Sequence, residues 1–344
     1  MMNEEWSRET TQLKRLNTLD SDATTSSSRE DDSSDNLSAS DDYISDDDSD
    51  DDEDDALYEP KPRICFESVY AMSTRDKIGE GTYGVVYAAT HRESNARVAV
   101  KCFDKSTMDL ADTVQLLREV DVLRMIHHSH VIKFVDFFDE PQHYYLVTEL
   151  VNGGDLFDRL ARRKVYAEEK VRALVLTLLK TVESLHGLNI VHGDLKLENI
   201  LLTSTDNDVS IKLCDFGFAR HDMNDELTGH WGSTEYMAPE IFSCARYGRQ
   251  ADVWSVGVIT YMLLSGVSPF GGQTKAELVT NIQRGHVAFP AIFWRRVSAQ
   301  AKAFVSTMLV ANPRNRSTIQ DLLAHPWLQE PAPLAIKSKP RAVN

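Results

Sequence analysis

Apolar and polar positions set two successive patterns along this chain. Short strand-like runs come first, at Thr74–Glu80, Val85–His91 and Arg97–Phe103. The period then changes. Leu116/Leu117, Val120 and Leu123 recur at helical spacing and predict a helix over Asp112–Met125. Two more strands fit Val131–Phe137 and Tyr144–Glu149. Beyond Gly153-Gly154 the pattern is mostly helical. Ala167–His186 and Gln250–Ser265 are apolar on most faces, which predicts buried central helices. Further helices are expected near Lys275–Arg284, Ala299–Leu309 and Ile319–Ala324. This order predicts an α+β fold in two lobes: a small antiparallel β lobe with one key helix, then a larger, mainly helical lobe.

Residues 1–71 follow neither period. They are rich in Ser, Asp and Glu and poor in aromatics, too polar to offset chain entropy by burial. A disordered acidic tail is expected there, most extreme at Asp41–Asp55, with a weak helix at Thr10–Leu19. The tail changes the meaning of the net charge. The 344 residues carry a formal charge of -16, yet residues 1–56 alone hold 20 acids and 4 bases. The remainder holds 33 of each and is formally neutral. No nucleic-acid partner is expected.

Cys65, Cys102, Cys214 and Cys244 are widely spaced, which argues against a disulfide framework or zinc site and for a reducing compartment. Val253–Gly266 is too short to span a bilayer. The chain begins Met-Met-Asn, with neither a signal-peptide core nor a myristoylation signal. A cytoplasmic protein is expected, with the nucleus as a further compartment and no membrane partner.

Ile78-Gly79-Glu80-Gly81-Thr82-Tyr83-Gly84-Val85-Val86 reads Gly-x-Gly-x-x-Gly-x-Val. Glycines let backbone amides approach phosphate oxygens. The same pattern in a dinucleotide fold would open a helix, whereas this one lies between two predicted strands. Val98-Ala99-Val100-Lys101 follows, so Lys101 suits the α- and β-phosphates of a nucleotide, and Glu119 on the next helix can hold its ammonium.

His192-Gly193-Asp194-Leu195-Lys196-Leu197-Glu198-Asn199 and Asp215-Phe216-Gly217 supply the remaining chemistry. Asp194 can take the proton of an attacking hydroxyl, and Lys196 can neutralise a transferring phosphoryl group. Asn199 and Asp215 offer hard oxygens to Mg²⁺, with Mn²⁺ as an alternative. Each acid taken singly reads as a solvated surface group. Their order with Ala238-Pro239-Glu240, at these spacings, does not.

Across about Met72–Leu328 the chain resembles the eukaryotic protein kinases, serine/threonine type. Asp-Leu-Lys-Leu-Glu-Asn, Asp-Phe-Gly-Phe-Ala, Ser268–Gly272 and His325-Pro326-Trp327 are similar to the calcium/calmodulin-dependent group. The resemblance implies a small lobe at 72–151, a large lobe at 152–328 and a short tail at 329–344, with ATP and protein substrates as partners. It makes Thr148 the residue behind adenine and Glu149 and Val151 the backbone contacts to its edge. Val86, Ala99 and Leu201 would sandwich the ring. Leu123, Phe134, Phe216 and His192 would form an apolar spine, Asp252 and Trp254 would support the catalytic loop, and Glu240 would pair with Arg316. Ser233 would hold the catalytic Asp and Lys. Asp155 and Glu198 would receive a basic residue upstream of the target hydroxyl. The intact Lys101, Asp194, Asn199 and Asp215 argue for a catalyst and against a binding-only scaffold.

Two departures from the family pattern matter. Gly193 stands where the family carries Arg, and Gly229, beside Thr228, stands at the usual phosphate-bearing position. Activity independent of activation-loop phosphorylation is therefore expected. Pro331, Pro333 and Pro340 interrupt the C-terminal tail, so direct calmodulin binding is not expected. Ser45 and Ser49, each followed by three Asp, resemble sites for an acid-directed kinase.

Overall fold

The computed structural model describes residues 64–81, 84–221, 227, 232–243 and 246–329. The expected weak helix, the acidic run, Ser45, Ser49, Thr82, Tyr83, Thr228, Gly229 and the prolines of the C-terminal tail lie outside these residues.

The small lobe consists of α1 (Phe66–Val69), β1 (Tyr70–Gly81), β2 (Gly84–His91), β3 (Arg97–Asp104), α2 (Leu110–Met125), β4 (Phe134–Asp139) and β5 (His143–Glu149). The five strands pair antiparallel in the order β1-β2-β3-β5-β4. Helix α2 starts two residues before the pattern predicts, because Asp109 and Asp112 form a reciprocal capping box. Its Leu116, Val120 and Leu123 are buried, whereas Leu117 is 40% exposed, which settles the Leu116/Leu117 ambiguity. The strand expected at Val131–Phe137 begins later, at Phe134. Val131 instead bridges Leu213 in the large lobe, and Ile132 N–H donates to the Leu213 carbonyl at 2.8 Å.

A boundary at residue 72 sets the start of the folded part too late. Phe66 and Tyr70 cover the sheet face carrying Ala89, Val98, Val100, Phe138 and Val147. Phe66 stacks on Tyr145 with centroids 4.2 Å apart, and its N–H donates to Glu140 Oε1 at 2.6 Å. These aromatic residues lie among Ile64, Cys65, Val69, Ala71 and Met72, but just upstream of the first strand that the alternation of apolar and polar positions marks.

The large lobe runs α3 (Leu156–Arg163), α4 (Glu168–Gly187), β6 (Ile190–Val191), β7 (Ile200–Leu202), β8 (Ile211–Leu213), β9 (Arg220–His221), α5 (Gln250–Ser265), α6 (Lys275–Arg284), α7 (Ala291–Trp294), α8 (Ala299–Met308), α9 (Ile319–Leu323) and α10 (Pro326–Gln329). Helices α4 and α5 form its centre, with Leu178, Leu179, Val182, Trp254, Val258 and Ile259 fully buried. The short ribbons β6–β9 and β7–β8 hold the loops between them. Two polar knots, the first part-buried and the second buried, lock the outer helices. Glu168 accepts from Ser298 N–H (2.9 Å), Ser298 Oγ (2.7 Å) and Trp327 Nε1 (2.8 Å), tying α4 to α8 and α10. Arg316 meets Glu240 in a bidentate pair at 2.8 and 2.9 Å, as the family resemblance implies. Among the described residues no helix is long and apolar enough to cross a membrane.

Removing residues 1–63 is expected to leave the thermal midpoint of the domain unchanged. Removing residues 1–71 takes Phe66 and Tyr70 away and should lower it by at least about 5 °C, since truncating a buried aromatic costs about 3 kcal/mol. Calorimetry on the two truncated chains would decide, and equal midpoints would refute the aromatic cap.

Candidate active site

Strands β1 and β2 meet in a hairpin that pairs Gly79 with Val86, Glu80 with Val85 and Gly81 with Gly84. This puts the glycine-rich stretch between strands, as expected. Gly84 is also required by packing: a Cβ there would stand 2.4 Å from the Cys102 carbonyl oxygen on β3. Glu80 pairs with Lys77 at the surface, and Ile78 is 52% exposed.

Cross-strand register places Val86 opposite Lys101, and Ala99 opposite Thr148. Lys101 Nζ lies 3.5 Å from Glu119 Oε2 and 3.8 Å from Asp215 Oδ1. Strand, helix and large-lobe loop thus converge on one ammonium. Burial pushes the Glu119 carboxyl up against the pull of Lys101. Burial acts the same way on Asp215, but there Lys101 and Lys196 prevail and hold the carboxyl below its ordinary range. The Glu149 carboxylate accepts from Lys133 N–H and Lys212 Nζ, both at 2.7 Å, so that side chain is occupied behind the strand. Val151 and Leu201 pack on the main core half-buried. Leu201 sits on β7, where Asp155 bridges it.

Asp194 is 3% exposed and its carboxylate is surrounded by donors. Oδ1 accepts from Ser233 N–H at 2.7 Å. Oδ2 accepts from Lys196 Nζ at 2.7 Å and Asn199 Nδ2 at 3.2 Å. Lys196 Nζ also donates to Ser233 Oγ at 2.9 Å, so Ser233 reaches the acid through its backbone and the ammonium through its hydroxyl. Asn199 Nδ2 donates to the Asp194 carbonyl at 2.8 Å as well.

Asp252, in the first turn of α5, anchors the segment before Asp194. Its Oδ2 accepts from His192 N–H and its Oδ1 from Gly193 N–H, both at 3.0 Å. His186 Nε2 lies 2.8 Å from Oδ2. Burial would raise the Asp252 carboxyl, but the His186 hydrogen bond leads the effects that hold it below its ordinary range. His186 is a partner that sequence reasoning missed: it lies on α4, 66 residues from Asp252, and no local pattern joins them. Gly193 has φ +76°, a left-handed backbone that suits glycine, and a Cβ there would meet the Phe218 carbonyl oxygen at 3.1 Å.

Asp215 has φ +60°, a strained value for a residue with a side chain. Phe216 behind it is fully buried against His192, centroids 4.8 Å apart, and Leu123 is buried in the same core. Burial pushes the Cys214 thiol far up, which disfavours the thiolate, and its Sγ donates to the Asn199 carbonyl at 3.5 Å. Asp155 caps α3 by accepting from Asp158 N–H at 2.7 Å. Glu198 lies within electrostatic reach of Asp155, Asp194 and Lys196, and burial raises both the Asp155 and Glu198 carboxyls.

Asn199 and Asp215 offer oxygen donors from adjoining loops, and Cys214 N–H donates to the Asn199 carbonyl at 3.0 Å, binding those loops together. Among the described residues no three His, Cys, Asp or Glu form a complete metal cage. A hard cation that completes its shell with phosphate and water fits such a partial donor set.

Residues 72–328 match the family model of the protein kinase domain. The chain is 36% identical over 264 residues to "Myosin light chain kinase A" of Dictyostelium discoideum, covering 76% of this chain and 89% of that one. It is 36% identical over 270 residues to "Calcium/calmodulin-dependent protein kinase type 1" of Caenorhabditis elegans (78% and 77%). The type 1B enzyme of Rattus norvegicus is 38% identical over 267 residues (78% and 77%). The chain belongs to the protein kinase family and is a serine/threonine kinase that uses ATP.

Asp252→Asn should weaken the anchor of the catalytic loop. We expect kcat to fall at least about tenfold with the KM for ATP little changed. The folded Asp252 carboxyl titrates below its unfolded value, so its contribution is full at neutral pH and is lost only as pH falls below about 4. Wild type should therefore melt higher than the variant at pH 7, with the gap narrowing under acid. A constant gap, or unchanged kcat, would refute the anchor.

Proposed function

We propose that this kinase transfers the γ-phosphoryl group of ATP to Ser or Thr of proteins that carry a basic residue upstream of the target. Asp194 is the base in this reading. Its carboxylate, held by Lys196, Asn199 and Ser233, orients the substrate hydroxyl and takes its proton as the oxygen attacks phosphorus in line. Lys196 neutralises the phosphoryl group in transit. Lys101, steadied by Glu119, holds the α- and β-phosphates under the backbone amides of the glycine-rich hairpin. Thr148 backs the adenine, whose edge meets the Glu149 and Val151 backbone, and Val86, Ala99 and Leu201 enclose its faces. Asn199 and Asp215 would hold Mg²⁺, which supplies charge neutralisation on the phosphate oxygens. Asp155 and Glu198 would accept the upstream base.

The observation that carries this reading is the set of donors on Asp194. They fix a carboxylate beside an ammonium, with no reorganisation needed at the moment of transfer. Asp194→Ala should lose at least about a hundredfold in protein phosphorylation while still binding ATP. Equal turnover would refute the base. Arrays of peptides with and without an upstream Arg test the preference, and indifference to that Arg would remove it.

Gly193 bears on regulation. With glycine at that position, a phosphorylated activation loop has no guanidinium partner beside the base. We therefore expect Thr228→Ala to retain activity within about tenfold of wild type, a difference of some 1.4 kcal/mol. A larger loss in a steady-state assay would overturn this independence.

A further inference from the structure

One hydroxyl in the N-terminal tail has the sequence surroundings that the proposed preference asks for. Bases are scarce there: residues 1–56 hold 4, namely Arg8, Lys14, Arg15 and Arg29, against 20 acids. Thr10–Leu19 is free of acids and carries the adjacent pair Lys14-Arg15. Thr18 follows that pair with only Leu16 and Asn17 between. Other hydroxyls near a base have acids in the way. Thr10 and Thr11 follow Arg8 across Glu9, and Ser33 and Ser34 follow Arg29 across Glu30, Asp31 and Asp32.

The site imposes a matching requirement. Asp155 is fixed by its capping bond, and Glu198 lies between Lys196 and Asn199 on the catalytic loop, within electrostatic reach of Asp155 and Asp194. A peptide with an acid between its base and its hydroxyl would bring that acid against two carboxylates, at a cost in like-charge repulsion. One with Lys and Arg upstream and neutral residues between would bring charge-assisted hydrogen bonds.

We propose that Thr18 is a phosphorylation site that this kinase modifies on its own chain, with Lys14-Arg15 held by Asp155 and Glu198. The proposal rests on the basic-residue preference above and names a substrate for it. Reach is no obstacle. Residues 19–63, 45 in number, separate Thr18 from Ile64. They can span at most roughly 150 Å, against a radius of gyration of about 18 Å for a compact domain of this size. Tethering also raises the local concentration of Thr18 toward the millimolar range. In the transfer, Thr18 Oγ1 bonds to the γ-phosphorus as the bond from that phosphorus to the β–γ bridging oxygen breaks. The hydroxyl proton passes to Asp194, and ADP leaves. The new phosphate adds about -1.5 to -2 charges beside the two carboxylates, which favours release of the modified tail.

The test uses the full-length chain with Mg-ATP at several enzyme concentrations, with phosphosites mapped by mass spectrometry. Synthetic peptides with and without an upstream Arg are assayed in parallel. We expect Thr18 to carry the main tail phosphate, at a rate per molecule independent of enzyme concentration. Asp194→Ala should leave Thr18 unlabelled, and Arg15→Ala should slow its labelling at least about tenfold. Arg15→Ala and Thr18→Ala should both phosphorylate the external Arg peptide as wild type does. An unlabelled Thr18 with the Arg peptide still preferred would overturn this proposal and leave the basic preference standing. Labelling that ignores Arg15, or whose rate per molecule rises with enzyme concentration, would also overturn it. Peptides phosphorylated alike with and without Arg would overturn the preference and the proposal together.

Discussion

One partly buried ammonium joins the two lobes. Lys101 extends from β3, Glu119 from α2 and Asp215 from the large lobe, and their charged atoms lie within 3.8 Å of the lysine nitrogen. Such a charge is tolerated only when paired, and removing one partner leaves an uncompensated ion. The position of α2 is therefore coupled to the loop at Asp215. Its own packing through Leu116, Val120 and Leu123 sets the helix against the sheet but would not by itself aim Glu119. The apolar contacts bring the elements together and the charges fix their register, so ATP-binding geometry and lobe closure are one problem.

Below the cleft a second carboxylate does comparable work on the backbone. Asp252 accepts two consecutive N–H groups of the catalytic loop and meets His186 from α4. These N–H groups belong to a turn whose middle residue, Gly193, is left-handed. Such a turn cannot continue a strand ladder, so its donors need a side-chain acceptor. Asp252 meets that need from the first turn of a helix buried from Ala251 to Ser265. This support reaches the segment before Asp194 from within the fold, while Ser233 holds the Asp194 carboxylate from the other side.

Much of this was legible in the chain. Helices at Gln250–Ser265 and Lys275–Arg284 fall at the bounds that their periodicity predicts. Asp194, Lys196 and Asn199 meet because their motif is local; Glu119, 18 residues from Lys101, and Ser233, 39 from Asp194, were legible only through the ordered set of motifs and the family resemblance they carry. What stayed hidden depends on distant partners. Phe66 and Tyr70 precede the first strand that the pattern marks, and only the placing of Tyr145 and Phe138 against them shows what they cover. Val131 reads as strand because it is β-branched and apolar, yet its partner is Leu213 in the other lobe. Glu149 reads as a hinge residue, and nothing nearby discloses that Lys212 claims its carboxylate.

These hidden contacts share a consequence. Phe66 closes the sheet face opposite the one that α2 packs on, so the acidic tail joins the small lobe from its outer side. The phosphoacceptor site lies at the large-lobe loop around Asp194. At that site, with Asp155 and Glu198 beside it, charge is what separates the parts of the tail. Most of the tail repeats the sign of Asp155 and Glu198 and is repelled by them. Thr10–Leu19 is the exception, with two bases and no acid. In the proposed reading, the like-charge repulsion that disfavours the acidic stretches at this site is what singles out the basic one.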